Sequence, residues 1–197
     1  ENVSTLYADA LMLMHPWDLY DHNFNAKPWT PEIVAVLKHT LQLNPKQPGA
    51  NHYYIHAVEA SAKPDNALNS AEFLASAMPD VSHLTHMPSH IYIRTGIYDK
   101  GITVNDQGLA GYKKYYHYFP ATEENISLYV LHNIHMKINC AQMAGNYGIA
   151  AAASKDLQEQ IPGFYLQIPG ALGNYVQYLH RTDIFTRLRF GKWKEIL

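Results

Sequence analysis

The sequence predicts an all-α protein, and three observations carry that reading. Apolar residues recur at spacings of three and four along almost the whole chain. Prolines and glycines fall mainly between those runs. No pair of alternating runs is joined by a two-residue hairpin turn.

The helices follow in order. "STLYADALMLM" (residues 4–14) has helical apolar spacing and stops before Pro16. Thr30 and Pro31 read as an N-cap and a first-turn proline, and "EIVAVLKHTLQL" runs on to Asn44-Pro45. "GANHYYIHAVEASA" is bounded by Pro48 and Pro64, and "PDNALNSAEFLASAM" ends at Pro79. "SHIYIRTG" comes next, with Pro88 starting or kinking it, because proline lacks the N–H and clashes with the preceding turn. His86 is then expected from the loop leading in, and His90 from the first turns. The remaining helices are "YDKGITVNDQGLAGYKKYYHYF", "ENISLYVLHNIHMKINCAQMAG", "NYGIAAAASKDLQEQI" and "GNYVQYLHRTDIFTRLRFG".

Charge and cysteine content narrow the function. The chain has 197 residues, with Lys plus Arg 15 against Asp plus Glu 17 and a net charge of −2. No basic run points to a nucleic acid or an anionic membrane. Apolar stretches are interrupted too often to span a bilayer, and no signal peptide opens the chain. The single Cys140 excludes an internal disulfide. The unusual feature is 12 His and 15 Tyr in a chain with few charges.

A repeat organises the helices. A Gly-x-aromatic turn recurs at Gly96-Ile97-Tyr98, Gly145-Asn146-Tyr147 and Gly191-Lys192-Trp193, and "SAKPDNAL" near Ala62 makes a similar turn without the glycine. Glycine suits the left-handed position that ends a helix, and the aromatic then packs the next helix on its partner. Turns are therefore expected at 61–64, 96–98, 145–147 and 191–193, joining antiparallel helix pairs that stack side by side.

"GIYDKGI", "GNYGIAAAA" and "GKWKEIL" resemble the turn and early second helix of the tetratricopeptide repeat. "GANHYYIHAVEAS", "HMPSHIYIRTGIYDKGI" and the His-Asn-x-His of "LHNIHM" are similar to a group of mostly bacterial tetratricopeptide-repeat proteins, over roughly residues 5 to 197. The resemblance implies one tetratricopeptide-like α-solenoid over residues 1–197. It also implies a piece of a longer chain and a soluble protein of the bacterial cytoplasm, periplasm or exterior.

Histidine pairs carry the chemistry. Twelve histidines in such a chain give about 1.5 pairs at spacing three or four by chance. Four occur, at 52/56, 83/86, 86/90 and 132/135. At 100° per residue, His52, His56 and Glu59 lie at about 0°, 40° and −20° on one helix face, with Tyr54 and Val58 opposite. His132 and His135 share a face with Asn125 and Asn139. The pairs 52/56, 86/90 and 132/135 fall on helices that would line the concave surface of such a solenoid.

Neutral imidazole is a good ligand for zinc, copper or iron, so His52, His56, Glu59, His86, His90, His132 and His135 are candidate ligands of a transition-metal ion. At least three of the six histidines are expected on one ion, with His56 and His90 its shared ligands. Asn51, Asn133, Ser89 and tyrosines are candidates to orient the imidazoles by hydrogen bonds. Glu59 is also a candidate acid or base. The plain alternative is that such histidines are hydrogen-bonded core or surface residues and that Glu59 bridges neighbouring helices.

Weaker candidates surround these. The loop His15 to Trp29 is long and aromatic; Trp17, Asp18, Tyr20 and His22 can close one end of the groove, or its tryptophans simply plug a gap. Arg94 suits an anionic substrate or an interhelical ion pair. His180 and Asp183 lie three apart and extend the polar lining or form a surface pair. Two functions compete: a metal-binding protein, with catalysis open, and a scaffold holding a peptide or protein partner in its groove without metal.

Overall fold

The computed structural model describes residues 1–122 and 128–197. Those residues are helical and contain no named strand; one isolated bridge joins Tyr20 and Ala26. The chain divides into two compact units, Glu1–Ile97 and Tyr98–Leu197. No helix among the described residues is long and apolar enough to cross a membrane.

The first unit comprises α1 (Asn2–Met14), α2 (Thr30–Leu43), α3 (Pro48–Val58), α4 (Leu68–Ala77), α5 (Ser82–His86) and α6 (Pro88–Thr95). Helix α1 packs on α2, α2 on α3, α3 on α4, and α4 on α6. The core is apolar and fully enclosed, with Ile33, Leu37, Ile55, Leu74, Met87 and Ile91 at its centre.

Helix α3 is pinned at its start, which sets where its histidines point. Pro48 opens it, and the Gln47 side chain accepts from the Ala50 N–H. The Asn51 amide donates to the carbonyls of Pro45 at 3.0 Å and Gln47 at 2.9 Å. Asn51 is thus a structural tie and does not touch an imidazole through these bonds. A Cβ on Gly49 would meet Thr5 Cγ2 at 3.1 Å, so the small residue lets α1 approach here. Tyr54, Ile55, Ala57 and Val58 are buried, and His52, His56 and Glu59 face away from that core, as the helical arithmetic expects.

Two local expectations are corrected in this unit. Thr30 is not the cap of α2: it lies inside the helix, and its hydroxyl donates to the Leu19 carbonyl, tying down the 15–29 loop. His86 does not come from a loop. It ends the short helix α5, and Met87, in helical conformation, passes the chain to Pro88 at the start of α6. Proline is tolerated there because the first helical N–H groups need no intrahelical partner.

The second unit comprises α7 (Tyr98–Tyr118), α8 (Leu128–Met143), α9 (Tyr147–Glu159), α10 (Gly170–His180) and α11 (Thr182–Arg189). Leu131, Ile134, Ile138, Leu157, Val176 and Leu179 form its core, and Tyr112 and Tyr116 of the tyrosine-rich α7 pack against it. Tyr115 and Tyr118 remain exposed. Cys140 of α8 is buried in the same unit, and burial pushes its thiol up to about 12. The last predicted helix is broken at Arg181 (φ −90°, ψ 0°). There the Thr182 hydroxyl donates to the Leu179 carbonyl at 2.8 Å, competing with regular helical bonding. Residues 124–127 of the predicted seventh helix, including Asn125 of its polar stripe, lie outside the described residues.

The repeated turns are one device used three times. Gly96, Gly145 and Gly191 have φ of 81°, 74° and 65°. In each case the next residue's N–H returns to a carbonyl five residues back: Ile97 to Tyr92, Asn146 to Ala141 and Lys192 to Arg187, all at 2.9 Å. That is the helix stop in which a left-handed glycine lets the chain satisfy its last carbonyls. The Asn146 side chain then caps α9 by accepting from the Ile149 N–H.

Candidate metal centre

The polar face of α3 meets α5 and α6 through imidazoles. His56 Nδ1 lies 2.7 Å from one Glu59 oxygen, and His90 Nδ1 lies 2.7 Å from the other. One carboxylate therefore joins a histidine of α3 to a histidine of α6. His90 Nε2 lies 3.1 Å from His86 Nε2, and His52 Nε2 lies 3.2 Å from His83 Nε2. The circuit closes on itself. Centroids of successive rings stand 5.0 Å apart for His52–His56, 5.2 Å for His56–His90, and 5.0 Å for His90–His86. They stand 5.9 Å apart for His86–His83 and 5.0 Å for His83–His52.

These histidine clusters can bind a metal. His52, His56 and His83 can each bring a ring nitrogen within 4.8 Å of the others, and so can His56 and His90 with a carboxylate oxygen of Glu59. His86 and His90 are buried; His52, His56, His83 and Glu59 are half-buried.

Electrostatics favours neutral His52 and His83 and an ionised Glu59. Burial lowers His52 to about 3, helped by the neighbouring His56 and His83, and lowers His83 to about 4. Burial works against the Glu59 carboxylate, but the His90 and His56 imidazoles outweigh it and hold its pKa well below the usual carboxylate range. An ionised carboxylate only accepts hydrogen bonds, so His56 and His90 must each present N–H at Nδ1. That leaves Nε2 of each ring as the atom able to offer a metal its lone pair.

Sequence reasoning missed His83 as a member of this group. Its pairing with His86 was visible as a spacing, but its partner is His52, 31 residues away. Glu59 and His90 are also 31 residues apart. That shared offset between α3 and the α5–α6 segment is the signal that could have found it.

The remaining candidates have the following surroundings. Ser89 is buried with its hydroxyl 3.4 Å from His86 Nδ1, as expected of an orienting group. His132 and His135 lie on α8 of the second unit, both half-buried. His135 Nε2 is 3.4 Å from both the Asn139 amide and the Tyr178 hydroxyl, and burial lowers its pKa to about 4. Asn133 is buried, and neither of its amide atoms has a hydrogen-bond partner among the described residues. Asp183 pairs with Arg187 at 2.8 Å, while the His180 carbonyl accepts from Gln158 at 2.7 Å.

A cavity of about 340 Å³ lies against this centre, lined by Trp17, Leu19, Tyr20, His56, Glu59 and Arg94 among others. The 15–29 loop forms its wall. Trp29 stacks on His15 at 3.8 Å and donates to the Asp18 carbonyl at 2.7 Å, and Tyr20 donates to the Ala57 carbonyl at 2.9 Å. Trp17 does not plug a gap: it is 86% exposed, holds a left-handed φ of 59°, and meets the His56 ring edge-on at 5.8 Å. Arg94 reaches the Ser61 carbonyl at 3.4 Å and lies over Phe24, bracing the loop. Asp18 pairs with Lys27 at 3.3 Å, and His22 is exposed.

Comparison of the chain with protein-family models, with curated proteins and with solved structures finds no match.

Proposed function

We propose that this chain is a metal-binding protein of the tetratricopeptide-like, helical-repeat kind, and that its first unit holds a transition-metal ion through imidazole nitrogens. The observation that carries the reading is the pair of short Nε2–Nε2 separations, 3.1 and 3.2 Å. Two nitrogens bound at 2.0–2.1 Å to one ion stand about 3.1–3.4 Å apart for angles between roughly 100° and tetrahedral. A donor set of imidazoles without cysteine suits zinc, copper or iron better than calcium or magnesium.

A metal-dependent reaction fits the same place. The cavity opens onto His56 and Glu59. An ion there supplies a Lewis acid or a water of lowered pKa. In this reading Glu59 serves first as the acceptor that holds His56 and His90 in the ligating tautomer, and only secondarily as an acid or base.

Elemental analysis of protein purified without a metal-affinity tag tests the proposal. Stoichiometric zinc, copper or iron is expected, and His56→Ala with His90→Ala should remove it while the far-ultraviolet dichroism stays helical. Binding should weaken in acid, where protons compete for imidazole. Wild-type protein that carries no metal, and takes none up on incubation with these ions, ends the reading.

A further inference from the structure

The circuit of imidazoles is built for more than one ion. We infer that it holds two, one on His52, His56 and His83 and the other on His86 and His90, with Glu59 bound to neither and shared between them as a positioning residue. This rests on the metal-binding reading above and deepens it.

Distances argue for two sites. An imidazole bound through Nε2 places its ring centroid about 3.2 Å from the ion. A flat circuit of five rings with sides of 5.0–5.9 Å has a radius of about 4.4 Å, so one central ion bound at that length is out of reach. Two rings sharing an ion at a near-tetrahedral angle have centroids about 5.2 Å apart. The two pairs with facing Nε2 atoms, His52–His83 and His86–His90, both stand at 5.0 Å. The close nitrogen contacts therefore mark two corners of the circuit and not its centre.

Tautomers say how Glu59 serves both. Its two oxygens take the Nδ1 protons of His56 and His90, one histidine from each proposed ligand set. His90 thus presents a lone pair at Nε2, towards His86 Nε2 at 3.1 Å. Without metal, His86 must donate from Nε2 to complete that contact. With metal, His86 turns its proton to Nδ1, where the Ser89 hydroxyl stands at 3.4 Å to receive it. Metal and metal-free forms therefore differ in the position of one proton on His86.

Titration of metal-free protein with Co²⁺, followed by its visible absorption, counts the sites. Two equivalents are expected, falling to one in His52→Ala with His83→Ala. A single equivalent that this variant keeps overturns the two-ion assignment but leaves metal binding standing; no binding at all overturns both. Glu59→Gln tests the shared carboxylate, because an amide can accept one Nδ1 proton but must donate to the other ring. The variant should bind both ions about 10–100-fold more weakly. Nitrogen-15 spectra of the metal-free variant should also show His56 or His90 moved to the opposite tautomer. A Glu59→Gln protein with unchanged tautomers and unchanged Co²⁺ affinity overturns the positioning role. In wild-type protein, Zn²⁺ should shift the His86 proton from Nε2 to Nδ1, and an unshifted His86 overturns the second site.

Discussion

The first unit and the second carry histidine pairs that look alike in sequence and differ in surroundings. His52 and His56 on α3, like His132 and His135 on α8, sit one turn apart on a helix face. In the first unit that face ends on a carboxylate, and His83 and His90, 31 positions on from His52 and Glu59, meet it, with His86 against His90. In its own unit His135 meets an amide and a phenol, at the longer distance of 3.4 Å. Helical spacing aligns two rings in both units; in the first, a carboxylate also fixes two imidazoles through Nδ1.

Removing that acceptor should break the contrast most. Glu59→Leu leaves the Nδ1–H groups of His56 and His90 without their carboxylate, each a charge-assisted bond worth about 1.5–3 kcal/mol. Partial exposure of Glu59 reduces this, and a loss of about 2–3 kcal/mol is expected from denaturant midpoints of the metal-free protein. Tyr178→Phe, which removes a partner of His135, should cost less than about 1 kcal/mol.

Acid should act on both units, and its sign follows from the lowered histidines. His52, His83 and His135 stay neutral in the fold down to about 3 or 4, while their unfolded counterparts protonate near 6.5. The unfolded chain therefore binds more protons in that window. Stability should be full above about pH 6.5 and fall towards pH 4, by up to about 1.4 kcal/mol per pH unit for each group. Glu59, whose folded pKa is depressed, keeps its stabilising effect above its unfolded pKa and loses it only at still lower pH. Chemical denaturation at pH 7.5 and pH 5 measures the drop. Equal midpoints at the two pH values would show that these rings are not buried neutral.

The smallest effect belongs to the loop. Trp17 holds a left-handed backbone that costs about 1 kcal/mol for a side chain of its kind. Its edge contact with His56 returns a similar amount. Trp17→Gly should leave stability within about 1 kcal/mol of wild type, yet hasten metal removal by a chelator through the widened cavity. Unchanged removal kinetics would take the tryptophan out of the centre's protection.

Much of this was legible in the sequence because it is local. Pro31, Pro48 and Pro88 mark helix starts, and Gly96, Gly145 and Gly191 mark stops, each through the conformations its own backbone allows. The common face of His52, His56 and Glu59 follows from helical rotation alone. What was hidden is non-local or competitive. The Thr30 hydroxyl abandons capping for the Leu19 carbonyl, a partner that exists only once the loop folds back. Helix α5 is a single turn, too short to show a period, so His86 looked like loop and His83 looked incidental. The break at Arg181 depends on a hydroxyl that fits either a helix or its end.

The burial of Cys140 has a practical consequence. A thiol at 0% exposure, with its pKa pushed up to about 12, offers almost no thiolate to an alkylating reagent at neutral pH. Labelling can proceed only during the moments when the second unit opens. The lone thiol is therefore a clock for that unit. Its modification rate, read by mass spectrometry with and without metal, counts openings of Tyr98–Leu197 while the histidines of Glu1–Ile97 report occupancy.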